Sequence, residues 1–193
     1  MSATREKSTH ILRYEEGFAG AIAAVAIEKP QLNIWMILIP IIFVYHIYRF
    51  QKYSDGRKMF VKNYMISRKR ALEEALVVVN TGNEPDIDRL VEMSTIPEVA
   101  RQQYAEFMAA LIEHYADLLS SEGDNFDELV RSAYRNRTNY LLFLNRLNQT
   151  ERALNKALKP HLEETLEGVK DIIKTIESRS EGLRRDGADR IFP

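Results

Sequence analysis

The stretch Leu32-Asn-Ile-Trp-Met-Ile-Leu-Ile-Pro-Ile-Ile-Phe-Val-Tyr-His-Ile-Tyr-Arg-Phe50 divides the chain into two unequal parts, and its reading decides the architecture. A helix over it would reach roughly 28 Å at about 1.5 Å per residue, against roughly 30 Å for the hydrocarbon core of a bilayer. Trp35 stands near one end and Tyr45 and Tyr48 near the other, where amphipathic rings favour headgroup level. Pro40 is tolerated inside a membrane helix and predicts a kink. The stretch therefore predicts a single transmembrane helix over residues 32–50, with Arg49 snorkelling to the interface. The competing reading, a buried helix of a soluble core, fits the mean hydropathy of -0.32. It does not explain the dense basic segment that follows.

That segment sets the expected orientation. Arg49, Lys52, Arg57, Lys58, Lys62, Arg68, Lys69 and Arg70 crowd the C-terminal flank with Asp55 alone among them. The positive-inside rule then predicts a single-pass membrane protein with its C-terminal domain cytoplasmic. The same basic residues become candidate contacts to lipid of the inner leaflet, at about 1 kcal/mol each. His46 is the one ionisable group inside the apolar run. It is a candidate haem or quinone contact, although a place beside Tyr45 and Tyr48 in the interface is simpler.

Before the anchor, residues 1–31 read as polar up to His10 and then as a short apolar helix. Gly17 to Ile27 would span only about 16 Å, which predicts an interfacial or re-entrant helix, or one packing on the anchor through Gly20 and Ala24. A two-span hairpin is the alternative. Ala24-Val25-Ala26 looks like a cleavage site, but Glu15 and Glu16 stand where a signal peptide is basic.

After the anchor, residues 51–193 are enough for one domain with a core. The chain holds 27 basic and 28 acidic residues, a balance that argues against a nucleic-acid binder. It has no cysteine, which removes disulfides, thiol nucleophiles and thiolate metal sites.

The domain reads as helices. One runs from Arg57 to Val79 with Phe60, Tyr64, Ala71, Ala75 and Val78 on one face, interrupted there by Ser67. Pro85-Asp86 opens a short one carrying Ile87, Leu90 and Val91. Thr95-Ile96-Pro97-Glu98 matches a capping box before a core helix with Tyr104, Phe107, Met108, Leu111, Ile112, Tyr115, Leu118 and Leu119 inward. Asn125 and Glu128 suggest another cap, followed by one helix from about Phe126 to Leu158. Pro160 should break or kink the chain. A heptad then follows: Leu162, Leu166, Val169, Ile173, Ile176, Ser180 and Leu183. It is a candidate docking seam for another protein, a membrane complex or a second copy in a homo-oligomer. The expected fold is all-α, a transmembrane helix followed by a cytoplasmic antiparallel bundle of four to five helices.

Chemistry finds little support. Four histidines and no Glu-x-x-His pair exclude the familiar di-iron arrangements. Glu113-His114 falls on the polar side of its helix. Arg131, Arg135 and Arg146 do not converge. Glycine-rich phosphate loops and nucleophile elbows are absent. No catalytic, metal or cofactor residue is expected. The leading function is a membrane-anchored, non-enzymatic tether. A small accessory subunit of a membrane complex is the alternative, and a bundle sensing an apolar ligand among Tyr104, Phe107, Tyr115 and Tyr140 is a third.

Overall fold

The computed structural model describes residues 2–26, 56–163 and 169–193, and throughout them the regular structure is helical. Leu32–Phe50 lies outside the described residues, and with it Trp35, Pro40, Tyr45, His46, Tyr48 and Arg49; so do Lys52 and Leu166. The helices are α1 (Ser2–Ala26), α2 (Gly56–Thr81), α3 (Ile87–Glu92), α4 (Arg101–Ser120), α5 (Phe126–Tyr134), α6 (Arg137–Glu163) and α7 (Val169–Ile191).

α4 is the central helix, touching α1, α2, α3, α5 and α6. Tyr104, Phe107, Met108, Leu111, Ile112, Tyr115, Leu118 and Leu119 are all buried, as expected, and with Ala110 and His114 they form one broad inward face, while Glu106, Ala109, Glu113, Asp117 and Ser120 face outward. An inward face this broad needs neighbours on several sides. Its start departs from expectation: Glu98–Ala100 forms a 3-10 turn before α4, and Pro97 at its head supplies no side-chain cap.

The other signals behave locally. Asp86 accepts from the Arg89 N–H and opens α3. Asn125 accepts from the Glu128 N–H while Glu128 accepts from the Asp124 N–H, a reciprocal cap for α5. The expected long helix from Phe126 is broken at Arg135, whose φ of 64 is left-handed. Asn136 restarts the chain by accepting from the Asn139 N–H. Pro160 lies inside α6, which continues to Glu163.

The N-terminal segment corrects the sequence reading most. α1 is a bundle helix starting at Ser2, not a loose tail and an interfacial piece. Ile11, Glu15, Phe18 and Ile22, spaced four, three and four, are buried with Ala19 and Ala23. Lys7 donates from Nζ to the carbonyls of Leu119 (3.0 Å) and Ser121 (2.6 Å), placing a cation at the α4 C-terminus.

α1 runs antiparallel to α2. Glu15 meets Arg68, Phe18 meets Tyr64, and Ala23 shares a cluster with Phe60. Residue numbers rise along one helix as they fall along the other, so α1 ends and α2 begins at the same pole.

This overturns the single-pass arrangement. Residues on both sides of 27–55 are packed into one core and so cannot lie on opposite sides of a bilayer. No helix among the described residues is long and apolar enough to cross a membrane. The positive-inside count misled because it scores flanking charge and is blind to the pairing of Glu15 with a cation far along the chain.

Candidate functional site: a sealed charge network and an open basic groove

Arg68 projects from α2 into the centre of the bundle and is 1% exposed. Its guanidinium lies 4.4 Å from the centre of the Tyr64 ring and 5.1 Å from that of Phe107. Nη2 donates to Glu151 Oε1 of α6 and to the Tyr64 hydroxyl, both at 2.8 Å. Nε stands 3.3 Å from Glu15 Oε2 of α1. Tyr115 of α4 donates to the other Glu15 oxygen at 2.7 Å, and Tyr64 to the nearer one at 3.2 Å. Glu151 also accepts from Arg184 of α7 at 2.6 Å, and Arg184 reaches Asn148.

Two carboxylates and two guanidiniums thus balance inside the protein, each bound to more than one neighbour. The match is incomplete, because Nε and Nη1 of Arg68 are buried without a hydrogen-bond partner, so the desolvation of the guanidinium is only partly offset. Burial pushes the Glu151 carboxyl up, but the charges and hydrogen bonds of Arg184 and Arg68 outweigh it and bring the pKa down to about 2. Arg68 and Arg184 are held protonated despite desolvation by the carboxylates and tyrosines around them. A carboxylate pinned as an anion and two fixed cations form a clamp, poorly suited to moving protons near neutral pH.

Beside the network, His114 is 4% exposed, not on the surface as its sequence neighbourhood suggests. Its Nδ1 is 2.7 Å from the Tyr134 hydroxyl and its ring stacks on Phe143 at 4.2 Å. Burial, reinforced by Arg68 and Arg184, lowers its pKa to about 3, so it stays neutral. The void between these residues and Glu15 is about 20 Å³, near the minimum for one water. The four aromatics expected to hold a ligand, Tyr104, Phe107, Tyr115 and Tyr140, are between 0% and 4% exposed and belong to the packed core.

The sequence held a signal for both buried polar residues. Arg68 follows Tyr64 by four and precedes Ala71 by three; His114 follows Leu111 by three and precedes Leu118 by four. Each sits on an apolar stripe, where a polar side chain is inward by geometry. Counting Arg68 among lipid contacts was therefore wrong. Arg70 is half-buried beside Tyr104.

A second feature lies nearer the pole. Gly20, Ala23 and Ala24 of α1 face Val61 and Met65 of α2 across a groove of about 630 Å³. Arg57, Lys58, Lys62 and Lys69 rim it on the α2 side and Glu16 on the other. It exists because small α1 side chains do not fill the space that the long α2 side chains hold open. A Cβ built on Gly20 meets nothing within 4 Å. Lys58, Lys62 and Lys69 are exposed and have no ionic partner among the described residues. Its volume is that of a small-molecule pocket.

The proposed docking seam is turned partly inward. Ile176 and Leu183 pack on the Phe18–Phe60 cluster and Ser180 is buried. Ile173 is half-buried; the side chains of Leu162 and Val169 are not among those described. Arg131 donates to the Ile191 carbonyl and Arg146 pairs with Glu113, so the helix cations are dispersed. Among the described residues no cluster of three or more acidic, histidine or cysteine side chains could hold a metal. No family model matches the chain, nor does any curated protein or solved structure.

Proposed function

We propose that this chain is a non-enzymatic tethering protein: a helical bundle whose α1/α2 pole meets an anionic lipid surface from one side. One observation carries the reading. Lys58, Lys62 and Lys69, spaced by four and seven residues along α2, lack counter-ions among the described residues; Lys58 and Lys62 stand at the pole where α1 ends and α2 begins, and Lys69 lies two turns further in. Elsewhere the bundle answers its inward charges within itself. Unanswered cations attract an anionic surface, each contributing about 1 kcal/mol. This arrangement needs no helix that crosses a bilayer.

Co-sedimentation of the full chain tests it, using phosphatidylcholine vesicles with and without phosphatidylserine. Binding is expected only with phosphatidylserine and should fall as salt rises. Replacing the three lysines by glutamine should weaken it roughly 100-fold, from about 3 kcal/mol of lost attraction. Equal, salt-independent binding to both vesicles overturns the reading. The alternative, a small subunit of a larger membrane assembly, draws on the open Gly20/Ala24 face. It predicts that leucine at both positions releases the chain from that assembly while vesicle binding persists.

A further inference from the structure

Resting on the reading of the α1/α2 pole as lipid-facing, we infer that the groove is the seat of one anionic lipid molecule. Its acyl chain lies on the floor of Gly20, Ala23, Ala24, Val61 and Met65, with its charged head beside Lys58 and Lys62.

Charge complementarity selects this occupant. The floor is apolar and the α2 rim is cationic, so what fills the groove must bring an apolar body and a negative charge together. A helix of purely apolar side chains would satisfy the floor but would strip water from the lysines without an anion in return, which is costly. A free inorganic anion would satisfy the lysines and leave the floor uncovered.

Dimensions agree. The lining residues of α2 run from Arg57 to Lys69, about 18 Å of helix, on the order of an extended acyl chain. Polarity follows from Glu16. It adjoins Glu15, which is level with Arg68, and so stands at the inner end of the groove, where it offsets Lys69, whereas Lys58 and Lys62 at the outer end face no carboxylate among the lining residues. The head therefore sits at the outer end and the chain runs inward over Ala23, Gly20 and Met65.

Dodecyl phosphate, kept below its micelle concentration, is the probe, titrated into the full chain by calorimetry. Inorganic phosphate and dodecyltrimethylammonium serve as controls. Saturable binding at one per chain is expected for dodecyl phosphate alone. Gly20→Leu fills open space without touching the packed face, and an unchanged melting transition certifies its fold. It should weaken the probe at least roughly tenfold, the effect of displacing two methylenes. Lys58→Glu with Lys62→Glu should do the same.

Equal binding of the cationic detergent, equal binding of inorganic phosphate, or indifference to Gly20→Leu overturns the proposal. Vesicle binding without stoichiometric dodecyl phosphate binding removes the groove and leaves the tether. Stoichiometric binding without vesicle binding removes the tether and leaves the groove.

Discussion

The contact between α1 and α2 uses charge in two opposite ways along its length. Midway, Glu15 and Arg68 meet where Tyr64, Tyr115, Glu151 and Arg184 enclose them, beside a void of about 20 Å³. Toward Ala26 and Gly56, Lys58 and Lys62 of the same α2 stand in solvent above a groove with an apolar floor. Charge that the chain can answer is taken inside and used to lock five helices together. Charge that it does not answer stays wet and open to a ligand.

The sharpest way to break this comparison is at Arg68. Arg68→Leu leaves Glu15 buried without its cation, while the partly buried Glu151 keeps Arg184, and the expected loss is about 3–5 kcal/mol. Denaturant unfolding measures it. Adding Glu15→Gln should return part of the loss, because the penalty lies in that orphaned anion. A loss under about 1 kcal/mol would place the network at the level of a surface pair.

Acid tests the sealed region next. His114 has a folded pKa of about 3, below the ordinary 6.5, so between those values the unfolded chain binds the extra proton. Stability should fall as pH drops through 6.5, with a slope of about 1.4 kcal/mol per pH unit from this one group. Glu151 is depressed from 4.5 to about 2; its contribution is complete above pH 4.5 and is lost as pH falls toward 2. Thermal melts of His114→Phe, which keeps a ring against Phe143, should therefore hold level down to near pH 4.5, while the parent begins to decline near 6.5.

The smallest expected effect belongs to the open region. Changing Lys58, Lys62 and Lys69 together to glutamine should alter stability at neutral pH by less than about 0.5 kcal/mol per site. A larger loss would mean that these cations serve the fold and would blur the contrast with Arg68.

What could be read beforehand follows the same division. Local signals were legible: the α4 stripe from Tyr104 to Leu119, the Asp86 and Asn125 caps, and the apolar face of α2. Each depends on residues within a few turns of one another. α1 was not legible as a bundle helix, because Glu15 occupies a seam position and only Arg68, Tyr64 and Tyr115 make it acceptable there. The break at Arg135 carries no glycine to announce its left-handed backbone. The groove lysines were legible as cations near the apolar run. That they border a groove depends on how α1 packs, which no neighbouring residue encodes.

The position of α1 also has a consequence for synthesis. Ile11 shares its core with Ala188 and Ile191, and a Cβ at Gly187 would stand 3.3 Å from the Tyr14 hydroxyl. At about 5–20 residues per second, roughly ten to forty seconds separate the two ends of that contact on the ribosome. Throughout that interval the seam of α1 lacks its last neighbour, and only α2, α4 and α5 are there to cover it.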